Sequence, residues 1–296
     1  MTGRRRGRSG IRPWYNAGMA SSTDPSEREY VLGTHDAEVE RLRFQHGIWR
    51  DEALRAWQAA GLGPTTRAVD IGAGPGFAAI DLAEAIGPGG EVLAVERSGR
   101  FLRILEDEVA RRRLATVRTA ELDLMQPDAP IPVHEADLAW CRWVACFVPS
   151  PERLVERIAG CLRSGGAAVF HEYVDYGTYR LLPVRRELTE FVETVFESWR
   201  ADGGEPDIAR ALPGLLGRHG FRIESVRPIA RAARPGEPLW DWPAGFVRVN
   251  TRRLVEMGRR DARWAEAVVA AVAEAERDES SVFITPTVLE IIARKR

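Results

Sequence analysis

Ala68-Val69-Asp70-Ile71-Gly72-Ala73-Gly74-Pro75-Gly76-Phe77 decides the fold class of this chain. A short apolar run carries an acid near its end and enters glycines at 72, 74 and 76. Glycine accepts positive φ and lets a ligand approach the backbone closely. A loop of this kind, between a buried strand and a helix, lies at the carboxyl edge of an open α/β sheet, where such sheets bind ligands. The dinucleotide fingerprint G-x-G-x-x-G asks for glycine at 77. Phe77 stands there, which weighs against a nicotinamide cofactor. A plain strand-to-helix turn is the other reading that the glycines alone leave open.

On both sides of this stretch the patterning alternates between strand and helix. Before it, 30–60 reads as a helix, with Val39, Leu42, Ile48 and Trp49 near helical spacing, stopped by Gly61 and Gly63-Pro64. After it come a helix over 77–86, a strand over 91–96, a helix over 99–113 and a strand over 116–122. A strand over 137–143 precedes a helix opened by Pro149-Ser150-Pro151 and running to Leu162. Ser164-Gly165-Gly166 then turns into a strand over 167–173. This alternation predicts an α/β fold, Rossmann-like and doubly wound, with a mostly parallel sheet covered on both faces. Past Tyr173 the pattern loosens into helices over 184–199, 208–218 and 249–277, an aromatic, proline-rich loop over 235–243, and strands over 221–228 and 282–293, the last interrupted by Pro286.

The chain has 296 residues and 42 basic against 43 acidic side chains, a net charge of −1. That balance argues against a large nucleic-acid footprint. Lys295 is the sole lysine. Three cysteines, Cys141, Cys146 and Cys161, lack paired C-x-x-C spacing. Neither a disulfide scaffold nor a zinc ribbon is expected, no metal is expected, and a reducing cytoplasm suits them. No apolar run of about 18 residues is present, so no membrane span is expected. Arg4, Arg5, Arg6, Arg8 and Arg12 mark residues 1–22 as a disordered basic leader with no apolar core of a secretory signal. The expected organisation is that leader, cofactor-covering helices over 23–64, a nucleotide-type core over 65–175, and over 176–296 the rest of the sheet with helical lid insertions.

Two further acids fall at strand ends. Glu96 closes Val92-Leu93-Ala94-Val95-Glu96, about 20 residues past the glycine loop, where an acid can accept both hydroxyls of a ribose. Asp123, beside Leu124, closes the third strand, where it can read an adenine amino group. With Asp70-x-Gly72-x-Gly74-x-Gly76, with Asp137-Leu138-Ala139-Trp140 and with Leu162-Arg163-Ser164-Gly165-Gly166, they make the chain resemble the class I S-adenosylmethionine-dependent methyltransferases. The resemblance covers about residues 30–175 and implies a seven-stranded sheet and that cofactor. It places Asp70, Gly72, Ala73, Gly74 and Gly76 on the cofactor, with Glu96, Arg97, Asp123, Leu124 and Cys141 around it. Glu38-x-x-Arg41-Leu42-x-x-Gln45 resembles the leading helix of small-molecule methyltransferases of bacterial and fungal secondary metabolism. On that likeness Arg41 meets the methionine carboxylate and Tyr30 closes over the site; alternatively Arg41 simply pairs with Glu38 on the helix surface.

The sulfonium methyl is electrophilic, so positioning and desolvation carry most of the expected catalysis, with a general base for an oxygen nucleophile. His171, closing the fifth strand, is the first candidate base; the other reading is a histidine hydrogen-bonded inside the sheet end. Glu172 is then its orienting partner or an anchor for a substrate amine. His46, on the leading helix, is a weaker candidate. Trp143, Tyr173, Tyr176, Tyr179, Trp240, Trp242 and Phe246 form the expected substrate wall, with core packing as the alternative. The expected function is methyl transfer to oxygen or nitrogen of a small molecule, a secondary metabolite of antibiotic type, in a protein that can form a homodimer and binds neither nucleic acid nor membrane. A methyltransferase of macromolecules and a catalytically silent cofactor-binding protein are the alternatives.

Overall fold

The computed structural model describes residues 36–296 except residue 129. The basic leader and Tyr30 lie outside the described residues. Strands buried on both faces read as unbroken apolar runs. β1 (Arg67–Ile71) and β2 (Glu91–Glu96) do so, burying every residue but the first. With β3 (Val117–Glu121), β4 (Ala136–Arg142), β5 (Leu162–Asp175), β7 (Phe221–Ile229) and β10 (Thr287–Lys295) they form a seven-stranded sheet ordered β3-β2-β1-β4-β5-β10-β7. β1 to β5 pair in parallel, and β10 runs antiparallel to both of its neighbours. The chain steps outward from β1 through β2 to β3, then returns to lay β4 on the other side of β1. That reversal opens a crevice beyond the carboxyl ends of the central strands, and the glycine loop leaves β1 there.

Helices α1 (Asp36–Ala59), α2 (Phe77–Ile86), α3 (Gly99–Arg112) and α4 (Pro151–Cys161) cover the sheet. Ser98 caps α3 by accepting from the Phe101 amide, and Ser150 with Pro151 starts α4. The carboxyl half of α1 sets Trp57, wholly buried, edge-on to Trp140 of β4 at 5.4 Å between ring centres. Its amino half carries Arg41, Gln45 and His46 to the crevice. Asp137 works at the opposite end of the sheet: it accepts from the Arg67 amide (2.7 Å) and from the Arg163 guanidinium (2.6 Å), tying together the starts of β1 and β5.

The second half differs from the sequence expectation in three places. The helix expected over 249–277 is two helices, α7 (Asp241–Glu256) and α8 (Ala262–Ala275), separated by Gly258 at φ 69° and restarted by an Asp261 cap. The terminal strand is also two: Pro286 separates β9 (Val282–Ile284) from β10. β9 belongs to a small antiparallel sheet with β6 (Arg180–Leu182) and β8 (Ala232–Ala233), in which Phe283 pairs with Leu181 and Ala233. β5 begins at Leu162 instead of 167, because residues 163–166 bulge opposite Asp137: Leu162 pairs with Ala136 and Ala167 with Leu138. With α5 (Arg186–Ala201) and α6 (Leu212–Arg218), these elements roof the crevice and extend the sheet.

Gly76 precedes α2 at φ 83°, and a Cβ there would lie 2.2 Å from Leu105 Cδ1. Both the left-handed backbone and the contact oppose a side chain. Gly76→Ala is therefore expected to destabilise the fold by about 2 kcal/mol or more, whereas Gly63→Ala, with open space at its Cβ, serves as a control near wild type. Denaturant unfolding of both variants checks this, and equal midpoints would contradict it.

Candidate active site

A cavity of about 390 Å³ opens at the crevice, a volume suited to a small ligand. One end is polar and lies over the carboxyl ends of β1, β2 and β3, with Asp70, Gly72, Ala73, Gly74, Glu96 and Asp123 in its lining. The other end is aromatic and lies under the roof, with Trp143, Tyr173, Tyr176, Tyr179, Trp242 and Phe246.

At the polar end, Glu96 reaches from β2 across to the loop of β1. Its Oε2 accepts from the Gly74 amide (2.9 Å) and its Oε1 from the Ser98 amide (2.9 Å). Burial pushes its carboxyl above the ordinary value, against the pull of those amides and of Arg97. Gly72 takes φ 64°, and a Cβ there would fall 2.5 Å from Val144, so the loop packs against the segment after β4 only as glycine. Asp70 is buried, and its Oδ2 has no hydrogen-bond partner. Burial raises its carboxyl to about 7, with Arg142 opposing and Glu96 reinforcing the rise. Asp123 Oδ1 accepts from the Met125 amide (2.9 Å), and buried Leu124 lines the same pocket, as does Arg97. These residues line one pocket, whereas Gly76, expected with them, faces Leu105 and lies outside the lining. Cys141 does not line it either: it sits inside the sheet, paired with Ile71 and Phe170 and wholly buried.

Arg41 lines the cavity with its guanidinium already engaged. It bonds Glu38 twice, Nε at 2.7 Å and Nη2 at 2.6 Å, and Gln45 through Nη1 at 2.9 Å. The Glu38–Arg41 pair is buried, unlike the exposed helix-surface pair that spacing alone suggests. His46 lines the cavity too, with both ring nitrogens used: Nδ1 lies 2.8 Å from Arg142 Nη2, a donor, so Nε2 carries the proton toward Asp81 Oδ2 at 2.9 Å. Burial holds its pKa below the usual value.

The structure moves the expected base away from the chemistry. His171 is wholly buried, Nε2 3.0 Å from Glu290 Oε2 and its ring edge-on to Trp140. It lies outside the cavity lining, because it sits two residues short of Tyr173, the residue of β5 that does reach the cavity. Burial lowers its pKa. Glu172 points into the protein and neither orients His171 nor faces the cavity. Its Oε1 accepts from the amides of Val144 (2.7 Å) and Ala145 (2.8 Å), bracing the segment after β4. Trp240 also leaves the expected wall: it packs on Phe283 at 4.6 Å and its Nε1 donates to Glu276. Trp242, two residues on, lines the cavity and donates to Gln45.

The aromatic end is built as a row. Trp143 stacks on Tyr173 (5.7 Å, 21°) and on Trp242 (5.8 Å, 23°). Tyr176 meets Tyr173 edge-on at 5.1 Å, and the Tyr179 hydroxyl donates to the Pro243 carbonyl. Phe147, Trp199 and Arg142 line the cavity although the sequence reading does not place them there, and so does Phe77, read only as the residue that breaks the dinucleotide fingerprint. Arg142 carried a signal: a charge at the end of an apolar strand, one strand over from the glycine loop. Phe77 follows the glycine loop directly, and Phe147 and Trp199 carry no signal because they reach the cavity from other parts of the chain.

Residues 69–170 match the Methyltransferase domain family. The methyltransferase str3 of Strobilurus tenacellus is 25% identical over 195 residues, covering 66% of this chain and 67% of that one. The demethylmenaquinone methyltransferase of Geobacillus kaustophilus is 29% identical over 125 residues, 42% of this chain and 51% of that protein. The chain thus spans about two thirds and about half of these relatives. The YcgJ protein of Bacillus subtilis shares the fold at a TM-score of 0.56 and 15% identity, covering 83% of this chain and 99% of that one. Domain match, sheet order and glycine loop agree: the chain carries a class I S-adenosylmethionine-dependent methyltransferase domain. Among the described residues no helix is long and apolar enough to cross a membrane.

Glu172 supplies a test of this geometry. Burial raises its carboxyl from 4.5 to about 7. Between those values the unfolded chain releases a proton that the folded chain keeps, so this group's contribution to stability falls as pH rises from about 4.5 to about 7. Glu172→Gln retains an acceptor for both amides and does not titrate. Its stability relative to wild type is expected to rise between pH 5 and pH 7.5 in denaturant titrations. A difference independent of pH would contradict the buried placement.

Proposed function

We propose that this chain transfers the methyl group of S-adenosylmethionine to a small, flat acceptor held in the aromatic end of the cavity. The observation that carries this reading is the continuity of the cavity: one continuous space joins the glycine loop and Glu96 to the stacked row Tyr173–Trp143–Trp242. A roof of helices over such a space favours a small molecule above a polymer. A secondary metabolite is the acceptor class we favour, on the likeness of the Glu38-x-x-Arg41 helix.

The residues fit the cofactor. Glu96, fixed by two amides, retains lone pairs for the ribose hydroxyls. Asp70 offers a buried oxygen without a partner, suited to the methionyl ammonium. Leu124, with Asp123 beside it, provides the adenine side. The bound sulfonium supplies an electrophilic methyl. The chain's share is then to hold the acceptor's nucleophile in line and to keep water out. His46 has no free ring nitrogen, and His171 and Glu172 do not reach the cavity. The reading therefore takes a nucleophile, oxygen or nitrogen, that needs orientation more than a protein base. Aromatic faces around the transfer point favour a cation.

Calorimetry with S-adenosylmethionine and S-adenosylhomocysteine is expected to give low-micromolar affinity, about 8 kcal/mol, and no binding of NAD. Glu96→Ala is expected to weaken both adenosyl ligands at least about tenfold. Unchanged affinity in that variant would overturn the ribose assignment. Failure to methylate any member of a panel of small planar acceptors would leave the silent-binder reading in its place.

A further inference from the structure

The two donors that the cavity leaves unsatisfied stand next to each other in sequence. Arg142 closes β4 and lines the cavity. Its Nη2 is held against His46 Nδ1 at 2.8 Å; His46 is held by Asp81 at 2.9 Å, and Asp81 by Arg50 at 2.6 Å. The guanidinium lies over the rings of Trp140 (5.6 Å) and Trp143 (5.2 Å). Its Nη1 is out of water and has no partner. Trp143, also lining the cavity, has a buried Nε1–H with no partner. Orphaned N–H atoms also occur at Trp49, Trp57, Trp264, Arg157, Arg185 and Arg253, but none of those side chains lines the cavity, whereas Arg142 and Trp143 do. A guanidinium edge buried without an acceptor is costly, and a network three side chains deep holds this one in place.

The backbone adds a separate observation. Trp143 takes φ 52°, a left-handed conformation that bulky residues rarely adopt and that gathers at ligand sites. Its amide donates to the His171 carbonyl at 3.0 Å, which fixes the bend. The bend turns the chain out of β4, so that the Trp143 ring joins the aromatic row beside the Arg142 fork.

We propose that Arg142 and Trp143 form an oxyanion site that recognises a carboxylate on the acceptor, with His46 and Asp81 as positioning residues for the guanidinium. A planar fork of N–H donors matches a carboxylate in two parallel bonds. The stacked faces of Trp143, Tyr173 and Trp242 suit a flat ring attached to it. The inference rests on the acceptor reading of the aromatic end and narrows it to anionic, planar molecules. The methionyl carboxylate of the cofactor is the other source of the same chemistry, and the experiment separates the two.

Calorimetry is run on wild type and Arg142→Gln with S-adenosylhomocysteine and with 5′-methylthioadenosine, which lacks the amino-acid tail. Benzoate and its neutral isostere benzamide are then titrated into the ligand-free and the S-adenosylhomocysteine-saturated proteins. Wild type is expected to prefer benzoate at least tenfold in both states. Arg142→Gln is expected to lose that preference and to bind both adenosyl ligands within about threefold of wild type. Trp143→Phe keeps an aromatic face but loses the N–H together with the five-membered ring, so it is expected to weaken benzoate more than benzamide. No preference for benzoate in wild type overturns the proposal. So does an Arg142→Gln protein that weakens S-adenosylhomocysteine tenfold while 5′-methylthioadenosine is unaffected, since the site then belongs to the cofactor. If wild type binds neither adenosyl ligand, the methyltransferase reading of the cavity falls, while the benzoate preference of the ligand-free protein still decides the oxyanion site.

Discussion

One hydrogen bond organises the site: the Gly74 amide, in the loop after β1, donates to Glu96 at the end of β2. It fixes a loop with little side-chain substance of its own against the adjacent strand. The same carboxylate takes the Ser98 amide at the start of α3, so β1, β2 and α3 meet at one buried acid. The glycines make this possible, because Gly72 and Gly76 take left-handed backbone where a side chain would strike Val144 or Leu105. Burial works against the charge on Glu96, and the amides offset it.

The charges around the cavity follow from the same economy of partners. Glu38 and Arg41 neutralise each other inside α1, and Asp81 satisfies His46. What remains without a protein partner is a carboxylate oxygen of Asp70 beside the glycine loop and a guanidinium edge of Arg142 at the mouth of the aromatic row. Asp70 and Arg142 stand on adjacent strands and attract each other, and their open edges give the cavity a polarity that a purely apolar pocket lacks. A ligand placed in it has its orientation set before any chemistry begins.

The sheet is readable as far as β5 because the central parallel strands β1, β2, β4 and β5 carry apolar runs, and because glycine spacing reports backbone conformation directly. The roof is not, since the small sheet joins Leu181, Ala233 and Phe283 across about a hundred residues, and local patterning carries no trace of such pairings. His171 shows where sequence reading fails inside a well-predicted strand. Its place near the end of β5 was legible, but whether it cleared the sheet edge was not. It stops beneath α1, against Trp140 and Glu290, and Tyr173 reaches the cavity instead. Glu172 and Cys141 face the interior by the same strand geometry. Trp240 and Trp242 were indistinguishable in sequence, and only the start of α7 sends one to Phe283 and the other to the cavity.

A crystal structure of the protein soaked with S-adenosylhomocysteine tests the central claim most directly. The expected result is a ribose whose hydroxyls lie on the Glu96 carboxylate, with the thioether running past Gly72 toward Trp143. Density for the nucleoside elsewhere, or a Glu96 carboxylate that touches no sugar oxygen, would contradict it.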